Sequence, residues 1–182
     1  LPLALTLSGN NAKTLFSVGN GGVLTLTRLT LTNGQGNYGG AIYNGGTLTL
    51  DRVTLANNNA LGGGALYNVG TLTLRNSTLS GNRAYSGGAI DNYGALTIYN
   101  STFSGNSATN TGGGIFNAGT LSFYNSLLAD SSSGGDCLNA NDPFFGLVGV
   151  IATNVRTLTD IEPFSEAAAA LAVSAAAWNW CV

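Results

Sequence analysis

At 182 residues the chain is long enough for one domain with a sizeable core, and a formal net charge of −2 excludes the basic footprint of a nucleic-acid binder. Only 8% of residues are charged and 27 are glycine, yet a hydrophobic fraction of 44% is too high for a disordered chain. Histidine is absent, which excludes a Ser-His-Asp triad and any histidine-ligated metal, and no apolar run is long enough to span a membrane.

The chain begins at Leu1 without a methionine and is read as a mature, processed product or a piece of a longer protein. Leu3, Leu5 and Leu7 alternate with other residues as an apolar strand, a first partial coil with no capping signal before it. A repeat then sets in. The "LTL" stretches centre on Leu24, Leu48, Leu72, Leu96 and Leu121, spaced by 24, 24, 24 and 25 residues. Six residues before each anchor stand Val18, Ile42, Leu66, Ile90 and Ile115; seven after stand Leu31, Leu55, Leu79, Phe103 and Leu128. Within a copy, Thr47-Leu48-Thr49-Leu50-Asp51 alternates apolar and polar residues, the period-2 mark of a half-buried strand. Val53-Thr54-Leu55 and Ala41-Ile42-Tyr43 supply two more short strands.

Short strands at this period predict an all-β fold: a right-handed parallel β-helix, or solenoid, of about 24 residues per coil. One coil cannot bury its own apolar side, whereas a stack of equivalent coils can. Stacking puts equivalent residues in columns about 4.8 Å apart. Asn20, Asn44, Asn68, Asn92 and Asn117 form one expected asparagine ladder, and Asn58, Asn82 and Asn106 a second. Both are placed at bends, where asparagine tolerates left-handed backbone and its amide reaches the next coil.

The coils are assigned to residues 1–129. Residues 130–164 read as an irregular loop, Asp130 to Pro143, followed by a last partial coil over Leu147 to Ile151 and Val155 to Leu158. Residues 165–182 read as a short C-terminal helix, N-capped by Ser165 and running through Ala167 to Ala177, in the same structural domain. Such a helix, with Trp178 and Trp180 behind it, would cover an open solenoid end, either its own or a neighbour's. Cys137 and Cys181 belong to no CxxC pair and read as a disulfide of an oxidising compartment.

The quoted motifs carry a family resemblance. GGAIYN, GGALYN, GGAIDN and GGGIFN, each followed by a strand ending in "ANN" or "SGN", resemble the GGA[ILV] and FxxN repeats of polymorphic outer-membrane proteins. They also resemble secreted bacterial β-helix proteins that carry a choice-of-anchor domain. SGNNAKTLFSVGNGGVLTLTRLTLTNG is similar to the opening of that group's repeat region, and NSLLADSSSGGDCLNA to its last coil, so the resemblance runs from about Ser8 to Ala140. It implies an extracellular or cell-surface protein with a structural or adhesive role.

Candidate chemistry is sparse. Pectin-degrading β-helices need clustered carboxylates. Here Asp51 and Asp91 fall two coils apart on different strands, and Asp51 is expected to pair with Arg75 across the stack. Asp130, Asp136 and Asp142 fit no calcium-loop spacing. The chain is therefore read as non-enzymatic, without cofactor or metal. Two outward sets are ligand candidates. Thr47, Thr71 and Thr120, with Thr49, Thr73 and Thr97, form a Thr-x-Thr grid similar to that of ice-binding solenoids, although β-branched threonines also stack well for their own sake. Tyr43 and Tyr67 form an aromatic column suited to sugar rings or to stacking on itself. Asn76 and Asn100 match the N-glycosylation pattern. The expected partners are glycans, the rest of a longer surface protein, or a second copy held end to end through Leu3, Leu5, Leu7, Trp178 and Trp180.

Overall fold

The computed structural model describes residues 5–139 and, for the backbone alone, 141–142, 147–148 and 150–153. It is an all-β parallel solenoid of about six turns with roughly 24 residues per turn. Four sheets run along the axis. Sheet A holds Leu5–Ser8, Leu29–Thr32, Thr54–Ala56, Thr78–Ser80, Thr102–Ser104 and Leu127–Ala129. Sheet B holds Phe16–Val18, Ile42–Asn44, Leu66–Asn68, Ile90–Asn92, Ile115–Asn117 and Cys137–Asn139. Sheet C carries the "LTL" strands Val23–Thr27, Thr47–Asp51, Thr71–Arg75, Ala95–Tyr99 and Thr120–Tyr124, closed by Val150–Thr153. Sheet D holds Gln35–Tyr38, Asn59–Gly62, Arg83–Ser86 and Ser107–Thr111. From Val23 to Asn117 each coil visits C, A, D and B in that order.

The core is a set of apolar columns. Leu24, Leu48, Leu72, Leu96 and Leu121 stand in register in sheet C, beside Leu26, Leu50, Leu74, Ile98 and Phe123. Sheet A contributes Leu7, Leu31, Leu55, Leu79, Phe103 and Leu128. Sheet B contributes Ile42, Leu66, Ile90, Ile115 and then Cys137. Most of these side chains in the middle coils are fully buried. Burying a leucine or isoleucine stabilises by about 1.5–3 kcal/mol, and the columns do so once per coil.

Three of the four corners turn through the left-handed region. Between sheets C and A the turning residues are Arg28, Arg52, Asn76, Asn100 and Asn125, with φ of 46° to 55°. Between A and D they are Asn33, Asn57, Gly81, Gly105 and Asp130, and between D and B they are Gly39, Gly63, Gly87 and Gly112. At Gly63 φ is +62°, and an added Cβ would lie 2.2 Å from the carbonyl oxygen of Leu66, so only glycine fits that corner. The ladder asparagines themselves are not among the left-handed residues. This corrects the sequence expectation. The residue at the corner makes the bend, which leaves the ladder amide free to point into the stack.

Two other expectations change. In the first coil Phe16 pairs with Ile42 and Val18 with Asn44, so Val18, not Asn20, stands beneath the asparagine ladder, and Asn20 is exposed. The cause is a longer turn, Gly19 to Gly22, closed by a 2.9 Å bond from the Gly22 N–H to the Gly19 carbonyl, in place of the Gly45-Gly46 turn of the next coil. The start of the region from Asp130 does not protrude as a loop. The Ser132 N–H donates to Asn106 and the Ala108 N–H to Ser133, and Cys137–Asn139 joins sheet B, so residues 131–139 complete a coil. Beyond it, Asn141–Asp142 pairs antiparallel with Leu147–Val148. Leu3, Val155 to Leu158, the helix assigned to 165–182, Trp178, Trp180 and Cys181 lie outside the described residues.

Two arginines at a left-handed corner are poor fits, since that backbone costs an L-residue about 1–2 kcal/mol and asparagine tolerates it better. Arg28 is exposed there. Arg28→Asn should raise stability by roughly 0.5–1 kcal/mol, read as a higher urea midpoint at unchanged slope.

Candidate functional site

The polar interior is organised as three ladders. In the first, the Asn44 amide donates to Asn68 at 2.7 Å, Asn68 to Asn92 at 2.7 Å, Asn92 to Asn117 at 2.6 Å and Asn117 to Asn139 at 2.7 Å. Asn139 was not read from the sequence because its spacing from Asn117 is 22 residues. In the second, Asn58 gives both its backbone N–H and its Nδ2 to Asn82 Oδ1 at 3.0 Å, and Asn82 repeats this on Asn106. The third is a serine ladder. The N–H groups of Val53, Ser77 and Ser101 donate to the hydroxyls of Ser77, Ser101 and Ser126, at 3.0, 3.1 and 2.9 Å. Each of those hydroxyls donates in turn to the carbonyl two residues back. The sequence signal for it was present: Ser77 and Ser101 are the central residues of the two glycosylation patterns.

Those patterns sit on the C–A corner. Asn76 and Asn100 are exposed, and their amide nitrogens are engaged: Asn76 Nδ2 donates to Asp51 Oδ1 at 2.8 Å, and Asn100 Nδ2 to Asn76 Oδ1 at 3.4 Å. Asp51 does not pair with Arg75, although the two are in register. Its ion pair is with Arg52 next in the chain, through Nε at 2.8 Å and through Nη2. Arg75 instead lies 4.6 Å from the centre of the Tyr99 ring, which stacks on Tyr124. The Asn76 amide, helped by the Arg52 guanidinium and against partial desolvation, holds the Asp51 carboxyl below its ordinary value of 3.8.

Asp51 and Asp91 lie on sheets C and B, so the structure does not bring the two carboxylates together. Asp91 takes the place between Tyr67 and Phe116 in the outward column of sheet B and is 3% exposed. Asp136 accepts the Ser131 N–H at 2.9 Å, a turn within the coil. Among the described residues no group of three His, Cys, Asp or Glu side chains is placed to hold a metal ion. Cys137 extends the buried isoleucine column and carries no free thiol.

The Thr-x-Thr grid stands on the outer face of sheet C. Thr47, Thr71 and Thr120 are exposed, and Thr49, Thr73 and Thr97 are half-buried in register beside them. Sheet A carries a second column, Thr6, Thr30, Thr54, Thr78 and Thr102, which the sequence reading did not single out. The rings stack on one another. Tyr43 lies 5.8 Å from Tyr67 at 10° between planes, Tyr67 5.5 Å from Tyr93, and Tyr93 6.0 Å from Phe116. Tyr38 adds a tilted contact to Tyr67 at 4.8 Å.

Residues 100–118 match the family model for the Chlamydia polymorphic membrane protein repeat. The matched stretch runs from the Asn100 corner through sheets A and D to Ala118, most of one coil. No curated protein and no solved structure matches the chain. The chain is a parallel β-solenoid that over residues 100–118 is similar to the polymorphic membrane protein repeat, and proteins of that family are outer-membrane or surface proteins.

The two ladder types differ in what a deletion leaves behind. Asn82→Leu strands the Asn58 N–H, the Leu55 carbonyl and one bond of Asn106, and should cost roughly 3 kcal/mol or more. Ser101→Ala strands the Ser77 N–H and takes one bond from the Tyr99 carbonyl, which keeps the Asn76 N–H, and should cost about 1–2 kcal/mol. Urea unfolding of both variants against the parent checks the order.

Proposed function

We propose that this chain is a non-enzymatic, extracellular structural or adhesive element: a rigid rod displayed at a cell surface. The observation that carries the reading is the joint presence of a polymorphic-membrane-protein-type repeat and three buried polar ladders that tie coil to coil. Ladders of this kind stiffen a rod along its axis, the quality needed to hold a binding surface away from a membrane. Antibody raised against the purified chain should label intact producing cells, and surface protease treatment should remove the label. Label that appears only after cells are opened would overturn the reading.

A second reading, head-to-tail assembly, is favoured by the first coil. The strands Leu5–Ser8, Phe16–Val18 and Val23–Thr27 are the edges of their sheets, and Leu7, Leu15, Phe16 and Leu24 beneath them are only partly buried. A paired edge of this kind satisfies backbone groups and covers apolar surface together. Electron microscopy of the purified chain should then show rods longer than one molecule, with sedimentation rising with concentration. A compact monomer at high concentration removes this second reading and leaves the first standing.

A further inference from the structure

The inward column of sheet B ends differently at its two ends. Phe16, in the first strand, is only partly buried. Cys137, in register with Ile115 in the last strand, is 3% exposed, although among the described residues no strand beyond Cys137–Asn139 pairs with that sheet. Its thiol is not free: Cys137 is disulfide-bonded. The sequence holds one other cysteine, Cys181. The direction of approach follows from the column. Ile42, Leu66, Ile90 and Ile115 are fully buried, so the side chain that continues them faces the core. Hydrogen-bonded sheets wall that core, and a partner sulfur cannot come through them. It has to enter across the last turn. Phe123 and Leu128 there are packed against the core but only partly buried. The chain is placed to make that crossing. Val150–Thr153 continues sheet C over Thr120 to Phe123, and residues 154–180 then separate sheet C from Cys181. At on the order of 3.3 Å per extended residue, that length is ample to return to sheet B.

We propose that Cys137 is bonded to Cys181 of the same chain, and that the segment carrying Trp178 and Trp180 lies across the last turn of the solenoid, over Leu128 and Phe123. The interaction surface is that end face, and its occupant is this chain's own C-terminal segment. A disulfide holds its two Cα atoms about 4.4–6.8 Å apart, so the tryptophans just before Cys181 are delivered to the same end. A stack of coils needs its terminal apolar layer covered, and an indole is a large, mostly apolar group suited to that task. The bond forms by thiol–disulfide exchange with an oxidised dithiol carrier. The two Sγ atoms join, and the carrier leaves as a dithiol with the two electrons and two protons. A second copy is not needed to supply the sulfur, because Cys137 is bonded in a single chain and a tethered thiol meets it at a high effective concentration. The assignment rests on neither reading above; in the head-to-tail one, the seated tail is what a neighbour would have to displace.

Trypsin cuts after Lys and Arg, and the sites flanking Cys137 are Arg83 and Arg156, so Cys137 falls on peptide 84–156 and Cys181 on 157–182. Digestion of the unreduced chain should yield these peptides as one species, lighter than their sum by two hydrogens, from a chain that runs at monomer mass without reductant. Both tryptophans of the chain are Trp178 and Trp180, so tryptophan emission, excited apart from the tyrosines, reports the tail alone. Acrylamide should quench it less in the native chain than in the same chain unfolded in urea. Leu128→Lys, at the last turn, should raise quenching toward the unfolded value with the disulfide still intact. Leu7→Lys, at the first turn, should leave it unchanged. Melting temperatures check that each variant folds; if Leu128→Lys does not, Leu128→Ala takes its place. A free Cys137, or a bond found only in dimers, overturns the pairing. Quenching that is equal in the folded and unfolded chain, that ignores Leu128, or that follows Leu7 and chain concentration overturns the seat. Each of these outcomes leaves the surface-labelling result untouched.

Discussion

In a stack of equivalent coils each side chain has a counterpart above and below, so residues that can partner themselves are favoured in a column. Leucine and isoleucine satisfy this by packing, and glycine by close approach. Asparagine satisfies it because one amide carries both a donor and an acceptor: Asn68 accepts from Asn44 and donates to Asn92 with the same group. A carboxylate or an ammonium cannot. Two like charges at the coil spacing of about 4.8 Å repel by roughly 1 kcal/mol in water and about 3.5 kcal/mol at an effective dielectric of ~20. The low charge content noticed first in the composition is thus a consequence of the fold. In the column of Asp51, Arg75 and Tyr99 a carboxylate lies below a guanidinium and the guanidinium over a ring; at the C–A corner Arg28 is followed by Arg52, whose guanidinium is paired with Asp51.

The same constraint explains how the ladders begin. Each acceptor oxygen needs a donor from the coil beneath it. The ladder residues give way to Val18 below Asn44 and Gly34 below Asn58 in the first coil, and to Val53 below Ser77 one coil further on. The backbone N–H groups of Gly34 and Val53 supply the first donor of two ladders, and the Gly46 N–H caps Asn44 Oδ1 at 3.2 Å. The polar interior therefore closes on itself at this end, where Leu5–Ser8, Phe16–Val18 and Val23–Thr27 are the edge strands among the described residues. Anything that stacks there adds backbone pairing and apolar contact without extending an asparagine ladder. That sets the chemistry of an end-to-end joint apart from the chemistry inside the rod.

Most of the fold was legible because translational symmetry writes the same message several times. The leucine columns, the corner glycines and the second asparagine ladder all follow from spacing. The errors come from places where spacing and register part company. Val18 and Asn20 keep the distances of the later coils from the sheet C anchor. However, the first coil is two residues shorter before its sheet B strand and two residues longer after it, so Val18 meets Asn44. The start of the Asp130 region has the composition of a loop, yet its backbone bonds to Asn106 and Ala108 hold it in the stack, with Asn139 delivered to the ladder from a shortened coil. Neither outcome can be computed from residue identity. Both depend on how many residues a turn consumes. The Asp51–Arg52 pair is another case: registry brought Arg75 opposite, but a neighbour at a left-handed corner reached the carboxylate first.

A rod built under this constraint is filled at its centre, where among the described residues the inward positions are occupied by columns. Its recognition surfaces must be linear, and they must lie where the repeat is allowed to vary. On the outer faces of sheets C and A small hydroxyl-bearing residues recur in register in the columns of Thr49, Thr73 and Thr97 and of Thr54, Thr78 and Thr102, while the Asp51, Arg75, Tyr99 and Tyr124 column of sheet C varies. Sheet D is different. Its inner column is reduced to glycine and alanine, and its outer column changes from Asn37 to Leu61 to Tyr85. Variation on the outside of an invariant inside is the pattern expected of a surface whose sequence answers to something other than the stack. The corner glycines complete that geometry. By turning the chain sharply from sheet D into sheet B, they bring Tyr38 and Tyr67 together over Gly62, against the stack of Tyr43, Tyr67, Tyr93 and Phe116.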